Sequence, residues 1–340
     1  MASVARPKPQ RLNPAAEIPA RKAGASGNPA KRAQDARRAT TSTGAPAPTG
    51  VRAWIAGARL RTLPLGIAPV ALGTGAGIVA LPERGLWHPL YAVLALVVAL
   101  ALQIGVNYAN DYSDGVRGTD DFRVGPARLT GSGAARPRTV LIVALAFFAL
   151  AAAAGLALTI LTGHWWFLAV GAAAIVAGWF YTGGKRPYGY FGLGELFVFV
   201  FFGLVATAGS AFVQAGTVNL EAWIGGVGIG LIACAVLMVN NLRDLGPDAA
   251  AGKRTLAVLV GPVVGRILYV AFLLIPFGFV IFFGLLYPGS WLVLFALLAA
   301  IPAALITLTA KTSKELILAL QLTSLVALVY GVGLGLAFAL

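Results

Sequence analysis

Charge is what this sequence has least of. Asp, Glu, Lys and Arg make up 11% of its 340 residues, where an ordinary soluble domain carries about 25%. Hydrophobic residues make up 59% and the mean hydropathy is +0.83, more apolar surface than a water-soluble fold can hide. Cysteine is nearly absent too. Cys234 is the single one, which excludes an internal disulfide and a thiolate cluster for a soft metal; its apolar surroundings mark it as a small core residue. The two histidines, His88 and His164, fall in short, nearly uncharged loops and are expected at an interface or in solvent, away from the acidic motifs.

The first fifty residues are poor in large apolar side chains. Arg6, Lys8, Arg11, Arg21, Lys22, Lys31, Arg32, Arg37 and Arg38 stand there against Glu17 and Asp35, so nine bases less two acids leave +7 of the chain's formal +14. The remainder is mostly Ala, Pro, Gly, Ser and Thr, too little burial to offset the chain entropy. Residues 1–50 are therefore expected to be a disordered basic cytoplasmic tail. With no apolar h-region it does not read as a signal peptide. The tail can meet anionic lipid, although a solvated segment that helps to set topology is the plainer reading. The other half of the positive charge is spread over several loops rather than gathered in one patch, so no nucleic-acid partner is expected.

What the sequence does have is long apolar runs. A hydrocarbon core about 30 Å thick asks for helices of roughly 20 apolar residues, and nine candidate spans meet or approach that: 63–81, 89–110, 139–161, 165–181, 194–215, 222–242, 263–287, 290–310 and 316–340. The expected fold is all-α and polytopic, nine transmembrane helices around a central cavity within residues 51–340. Loops after the even-numbered spans carry Arg117, Arg123, Arg128, Arg136 and Arg138, then Lys185 and Arg186, then Arg243, Lys253 and Arg254, then Lys311 and Lys314; the others are short and nearly uncharged. This alternation places the N-terminus and the cavity mouth in the cytoplasm and the C-terminus outside a plasma membrane. Trp87, Trp165, Trp223 and Trp291 fall on the short-loop side, as an interfacial belt would.

Two of the charged loops also carry acids. The first reads NYANDYSDGVRGTDD from Asn107 to Asp121, and the second reads NNLRDLGPD from Asn240 to Asp248, followed by Gly252, Lys253, Arg254 and Thr255. On a helix Gln103, Asn107 and Asp111 follow at i+4 and Asp114 at i+3 beyond, so all four share one face. Polar residues at membrane depth imply an internal cavity. Asn240 and Asp244 are also i+4, and Gly246-Pro247 is expected to interrupt the helix and put Asp248 on a turn or a new short helix. Four to six carboxylates without a histidine or thiolate point to a hard cation such as Mg²⁺. Mg²⁺ takes one or two carboxylates and leaves positions for water and phosphate oxygens. A diphosphate suits those positions, with Lys185, Arg186, Lys253, Arg254, Arg117 and Arg128 to hold its remaining charge. Glu195, an acid near membrane depth, is a candidate for the second substrate; an interfacial structural role is as plain. Asn110, Asn240 and Asn241 can orient ligands or satisfy helix ends.

These strings resemble the UbiA superfamily of intramembrane prenyltransferases, which carry an asparagine-and-aspartate motif after the second helix and DxxxD after the sixth. Together with RTLPL around Arg61 and YTGGKRPYGYFGLGE from Tyr181, they are similar to the branch that prenylates 1,4-dihydroxy-2-naphthoate for menaquinone. The likeness covers about residues 52–340. It implies that Asn107, Asp111 and Asp114 serve the first metal motif and Asp244 and Asp248 the second, and that Tyr181 and Lys185 form a YxxxK element beside the diphosphate. One position departs: the broad motif expects an acid where this chain has Gly118, for which Asp120 or Asp121 can substitute.

The implied reaction is Mg²⁺-assisted departure of diphosphate from a polyprenyl diphosphate, attack by the electron-rich ring, and loss of CO₂ and a proton to give demethylmenaquinone. Phe197, Phe199, Phe201 and Phe202 can line a pocket for the isoprenoid tail, although core or lipid contact is the more ordinary role for phenylalanine here. Membrane lipid is the other expected partner, and nothing specifies an oligomer. Two alternatives stay open: another aromatic acceptor, or a transporter with related motifs around a midplane site.

Overall fold

The computed structural model describes residues 50–119 and 128–340, and among them the chain is helical with no strand. The expected tail, and Asp120 and Asp121, lie outside the described residues. The helices are α1 (Val51–Ala58), α2 (Pro64–Ala80), α3 (Pro89–Arg117), α4 (Pro137–Thr162), α5 (Phe167–Phe180), α6 (Gly194–Ala215), α7 (Leu220–Arg243), α8 (Leu245–Ala250), α9 (Leu256–Leu286), α10 (Pro288–Thr309, opening as a 3₁₀ turn) and α11 (Glu315–Ala339). Local chemistry sets their ends. Pro64, Pro89, Pro137 and Pro288 stand in the first helical turn, where a missing N–H costs nothing. Asn219 caps α7 by accepting the Ala222 N–H.

All nine apolar runs are helical, yet nine crossings do not follow. Seven helices are long and apolar enough to cross a membrane, and α1 with α2, bent by 45°, makes an eighth. The remaining run, α5, has 14 residues, about 21 Å at 1.5 Å per residue, which falls short of the hydrocarbon thickness. The sequence overestimates this run because Trp165 and Trp166, counted as span, sit in the turn before the helix and are exposed. Within α9, Gly261 leaves helical geometry next to Pro262.

Apolar packing divides the bundle in two. The larger core joins α2, α7, α9, α10 and α11, around Tyr269, Leu273, Tyr330 and Leu334, all fully buried. The smaller joins α1, α3 and α4 through Ala53, Tyr108, Leu129, Val140 and Phe148. Small residues press α2 on α11: a Cβ on Gly75 would lie 2.0 Å from the Gly335 carbonyl oxygen, and one on Gly331 2.4 Å from that of Ala68. The glycine repeat near the C-terminus is thus a packing device. Both cores contribute to the walls of one cavity of about 340 Å³.

The wall given by α6 has an unusual period. Phe197, Phe201, Val205, Gly209 and Val213 all line the cavity, a strict four-residue step. In a straight α-helix each such step drifts by about 40°, and the stripe would turn away. Residues Phe199–Val205 form a π-helix, whose wider turn offsets the drift. The same stretch lets α6 approach α7, where a Cβ on Gly203 would meet Gly230 Cα at 2.6 Å.

Candidate active site

The polar face of α3 is buried as its spacing predicts: Gln103, Asn107, Asn110, Asp111 and Asp114 are each at most 7% exposed. Their partners differ. Gln103 and Asn107 donate to Thr62 Oγ1 at 3.1 and 3.4 Å, and Asn107 also donates to the Ala58 carbonyl at 3.1 Å. Both amides therefore fasten the segment before α2, which presents Arg59 and Arg61 to the cavity. Arg59 is the non-glycine residue held at positive φ, 54°, among the described residues, a conformation that costs about 1–2 kcal/mol and recurs at functional sites. Asn110 accepts from Thr182 Oγ1 at 2.6 Å.

Asp111 accepts the backbone N–H of Leu129 at 2.9 Å and of Thr130 at 2.8 Å, one on each oxygen. That carboxylate draws the loop back onto α3 and sets Arg128 3.6 Å from Asp114. Asp114 lies among further cations and donors. Lys253 Nζ is 3.2 Å from its Oδ2, and Tyr190 Oη donates to its Oδ1 at 2.5 Å. Position 118, where the broad motif expects an acid, closes α3 at φ 73°; a glycine there suits the left-handed turn. It ends the helix rather than presenting a ligand.

The second motif mirrors this division. Arg243 grips Asp244 with two hydrogen bonds of 2.8 and 2.5 Å, both side chains buried. Helix α7 stops there, and Asp248 falls on the short α8, as expected. Asp248 Oδ1 lies 3.7 Å from the same Lys253 Nζ that meets Asp114. Burial alone would lower the Lys253 pKa, but the neighbouring carboxylates of Asp114 and Asp248 outweigh it, and the ammonium is held above its ordinary range. Burial, then the Asp114 charge, pushes the Tyr190 phenol up, so it donates to Asp114.

The loop after α5 joins the motifs. Arg117 donates to the carbonyls of Thr182 and Gly184, the Arg254 N–H donates to the Tyr190 carbonyl at 2.9 Å, and Arg117 and Lys253 both lie over the Tyr190 ring, at 5.5 and 4.8 Å. Tyr181 lines the cavity. Lys185, Arg186 and Arg254 are exposed side chains outside this buried cluster. Glu195 and Asn241 do not line the cavity either. Asn241 donates to Glu195 Oε1 at 3.0 Å between α6 and α7, while Glu195 Oε2 is buried without a hydrogen-bond partner among the described residues.

The cavity opens on Asn107, Asp111, Arg128 and Arg243 and continues past Phe197, Phe201 and Phe202 to Gly155, Gly171 and Gly209. Three of the four phenylalanines singled out in the sequence line it; the fourth, Phe199, packs on Gly230. Tyr190 and Arg243 are the main residues that sequence reading passed over. Neither has a periodic signal: one is a loop tyrosine, the other an arginine next to the acid it holds.

Among the described residues no three acids, histidines or cysteines stand close enough to hold one metal. Cations are interleaved with these acids: Lys253 and Arg128 stand beside Asp114, and Arg243 beside Asp244. The donors fit Mg²⁺ chemically: they are hard carboxylate oxygens, and Asp114 and Asp248 would supply the one or two that such an ion takes beside phosphate and water.

A family model described as the UbiA prenyltransferase family matches residues 70–319. This chain belongs to that family. A 1,4-dihydroxy-2-naphthoate octaprenyltransferase of Mycobacterium tuberculosis is 48% identical over 291 residues, 84% of this chain and 96% of its own. The Escherichia coli protein of the same name is 40% identical over 224 residues, 63% and 70% of the two chains. Among solved structures, a UbiA homolog from Archaeoglobus fulgidus bound to GPP and Mg²⁺ aligns with a TM-score of 0.58 at 16% identity, over 83% of this chain and 99% of that one. The apo UbiA homolog of Aeropyrum pernix aligns with 0.61 at 16% identity, over 79% and 96%. At such identity these two show that the fold is shared.

Proposed function

We propose that this protein transfers a polyprenyl chain from its diphosphate to 1,4-dihydroxy-2-naphthoate, with loss of diphosphate and CO₂, to give demethylmenaquinol, the hydroquinone that air oxidises to demethylmenaquinone. The names and coverage of the bacterial relatives support the substrate pair. The observation that carries the reading is the meeting of Asp114 and Asp248, from two distant motifs, on Lys253, with Arg128 joining Asp114 to the wall of an apolar cavity.

The residues divide the work by charge. Lys253, Arg128 and Arg117 would hold the diphosphate as the allylic carbon–oxygen bond breaks and its electron pair passes to the leaving group. Arg59 and Arg61 line the cavity, where a guanidinium suits an anionic substrate. Bound by Asp114 and Asp248, Mg²⁺ would supply further neutralisation of the leaving group. Phe197, Phe201 and Phe202 exclude water from the allylic cation and face the isoprenoid tail. The ring then attacks the allylic carbon, and the carbon–carboxylate bond gives its electrons back to the ring as CO₂ leaves. With the short α5 counted as a ninth crossing, charge alternation would place the mouth and the N-terminus in the cytoplasm and the C-terminus outside.

Turnover of the purified protein in nanodiscs tests this, with polyprenyl diphosphate and 1,4-dihydroxy-2-naphthoate in Mg²⁺ or in EDTA. Demethylmenaquinone, CO₂ and diphosphate should form in Mg²⁺ and not in EDTA. Prenylation of a different aromatic instead would keep the reaction and remove the acceptor.

A further inference from the structure

Lys253 occupies the point where the two motifs meet. Its ammonium is 3.2 Å from Asp114 Oδ2 on α3 and 3.7 Å from Asp248 Oδ1 on α8, it lies over the Tyr190 ring at 4.8 Å, and the residue is 8% exposed. A divalent cation that joined the motifs through those oxygens would stand within a few ångströms of this ammonium, and in so buried a place the two charges repel strongly. One of them has to move.

The surroundings say which part is free to do so. The Lys253 backbone is anchored, its N–H donating to the Asp248 carbonyl at 2.9 Å, and Gly252 before it takes a φ of 76° that closes α8. Movement is therefore confined to the side chain, a compact charge on a four-carbon stem. Arg243 offers a contrast: its two bonds to Asp244 make a planar fork with little freedom.

We propose that Lys253 is a resident counter-ion that exchanges partners on loading. It competes with a divalent metal for Asp114 and Asp248, and moves to a diphosphate oxygen when metal and diphosphate arrive together. The inference rests on the reading of this cluster as a diphosphate site and adds its order of assembly. Metal alone binds weakly because it has to displace the ammonium with nothing to receive it. Diphosphate receives it, so the two ligands strengthen one another by the same factor.

The test uses the full chain in nanodiscs, with Mn²⁺ binding followed by electron paramagnetic resonance and inorganic diphosphate binding by calorimetry. Without diphosphate, Lys253→Met should bind Mn²⁺ at least about tenfold more tightly than the natural protein, and diphosphate should then raise that affinity less than it does in the natural protein. A merely structural lysine would not produce a gain in metal affinity. Lys253→Arg, which keeps the charge, should stay within about threefold of the natural protein. Lys253→Gln repeats the neutral substitution if the Met variant does not fold. Unchanged or weaker Mn²⁺ binding in the neutral variant, or a tenfold gain in Lys253→Arg, overturns the exchange. If the natural protein binds neither Mn²⁺ nor diphosphate, the diphosphate-site reading itself falls; if it binds both and the neutral variant matches it, only the exchange falls.

Discussion

The two acidic motifs differ in everything but their division of labour. The first sits at the end of a long helix and uses Asp111 to hold a loop through two backbone N–H groups. The second sits at a break between two helices and uses Asp244 to hold an arginine. In each, one acid is committed to building the local structure and the other, Asp114 or Asp248, reaches Lys253. Two unrelated local geometries thus deliver one carboxylate each to a shared point. The spacing within each motif serves the handover from scaffold to site, which explains why an i+3 or i+4 pair is needed rather than a single acid.

The comparison breaks most directly at the shared point. Asp114→Ala or Asp248→Ala should lower kcat by about 10²–10³ or more, as losing a stabiliser of developing charge does, with the protein still inserted and folded. Turnover above a tenth of normal in either would remove that acid from the site. The scaffold acids should show a mixed phenotype. Asp244→Ala leaves the buried Arg243 uncompensated and should cost about 3–5 kcal/mol of stability. Asp111→Ala strands the N–H groups of Leu129 and Thr130, at about 1–3 kcal/mol where no other acceptor reaches them. Thermal unfolding in nanodiscs should show both losses beside a fall in turnover, whereas Asp248→Ala, at the more exposed acid of the shared point, should lose turnover with the smaller change in Tm.

Smaller effects sharpen the boundary of the site. Lys185 is exposed beyond the buried cluster, so Lys185→Ala should raise the KM for prenyl diphosphate by only about threefold to tenfold and leave the KM for the aromatic acid unchanged. An equal change in both would argue against a diphosphate role. Deleting residues 2–45 should leave turnover within about twofold, since their composition offers few apolar side chains; complete loss would show that the segment does more than assist topology.

Much of this was legible before any coordinates. Apolar runs located every long helix, the i+4 spacing put Gln103, Asn107 and Asp111 on one buried face, and Gly246-Pro247 announced the short helix that carries Asp248. The ranking of the basic residues was not legible. Lys185 and Lys253 look alike in sequence, each near the end of a loop beside an arginine, yet one is exposed and the other buried between two acids. Glu195 drew attention as an acid at membrane depth, and the structure pairs it with Asn241 behind the cavity wall. The short α5 was read as longer than its 14 residues because the tryptophans before it are apolar by composition and lie in the preceding turn.

By itself the sequence determined the solvent, the helices, their polar face and the family. These follow from requirements met within one stretch of chain: a helix must satisfy its own backbone and match the hydrocarbon thickness, and side chains four apart must share a face. Only the tertiary structure decided which acid meets which cation, which phenylalanines face the cavity and how a π-helix keeps them there. Those choices depend on separations of a few ångströms between residues as far apart as Asp114 and Lys253, and Coulomb and packing forces act on distance in space, which the order of residues along the chain does not record.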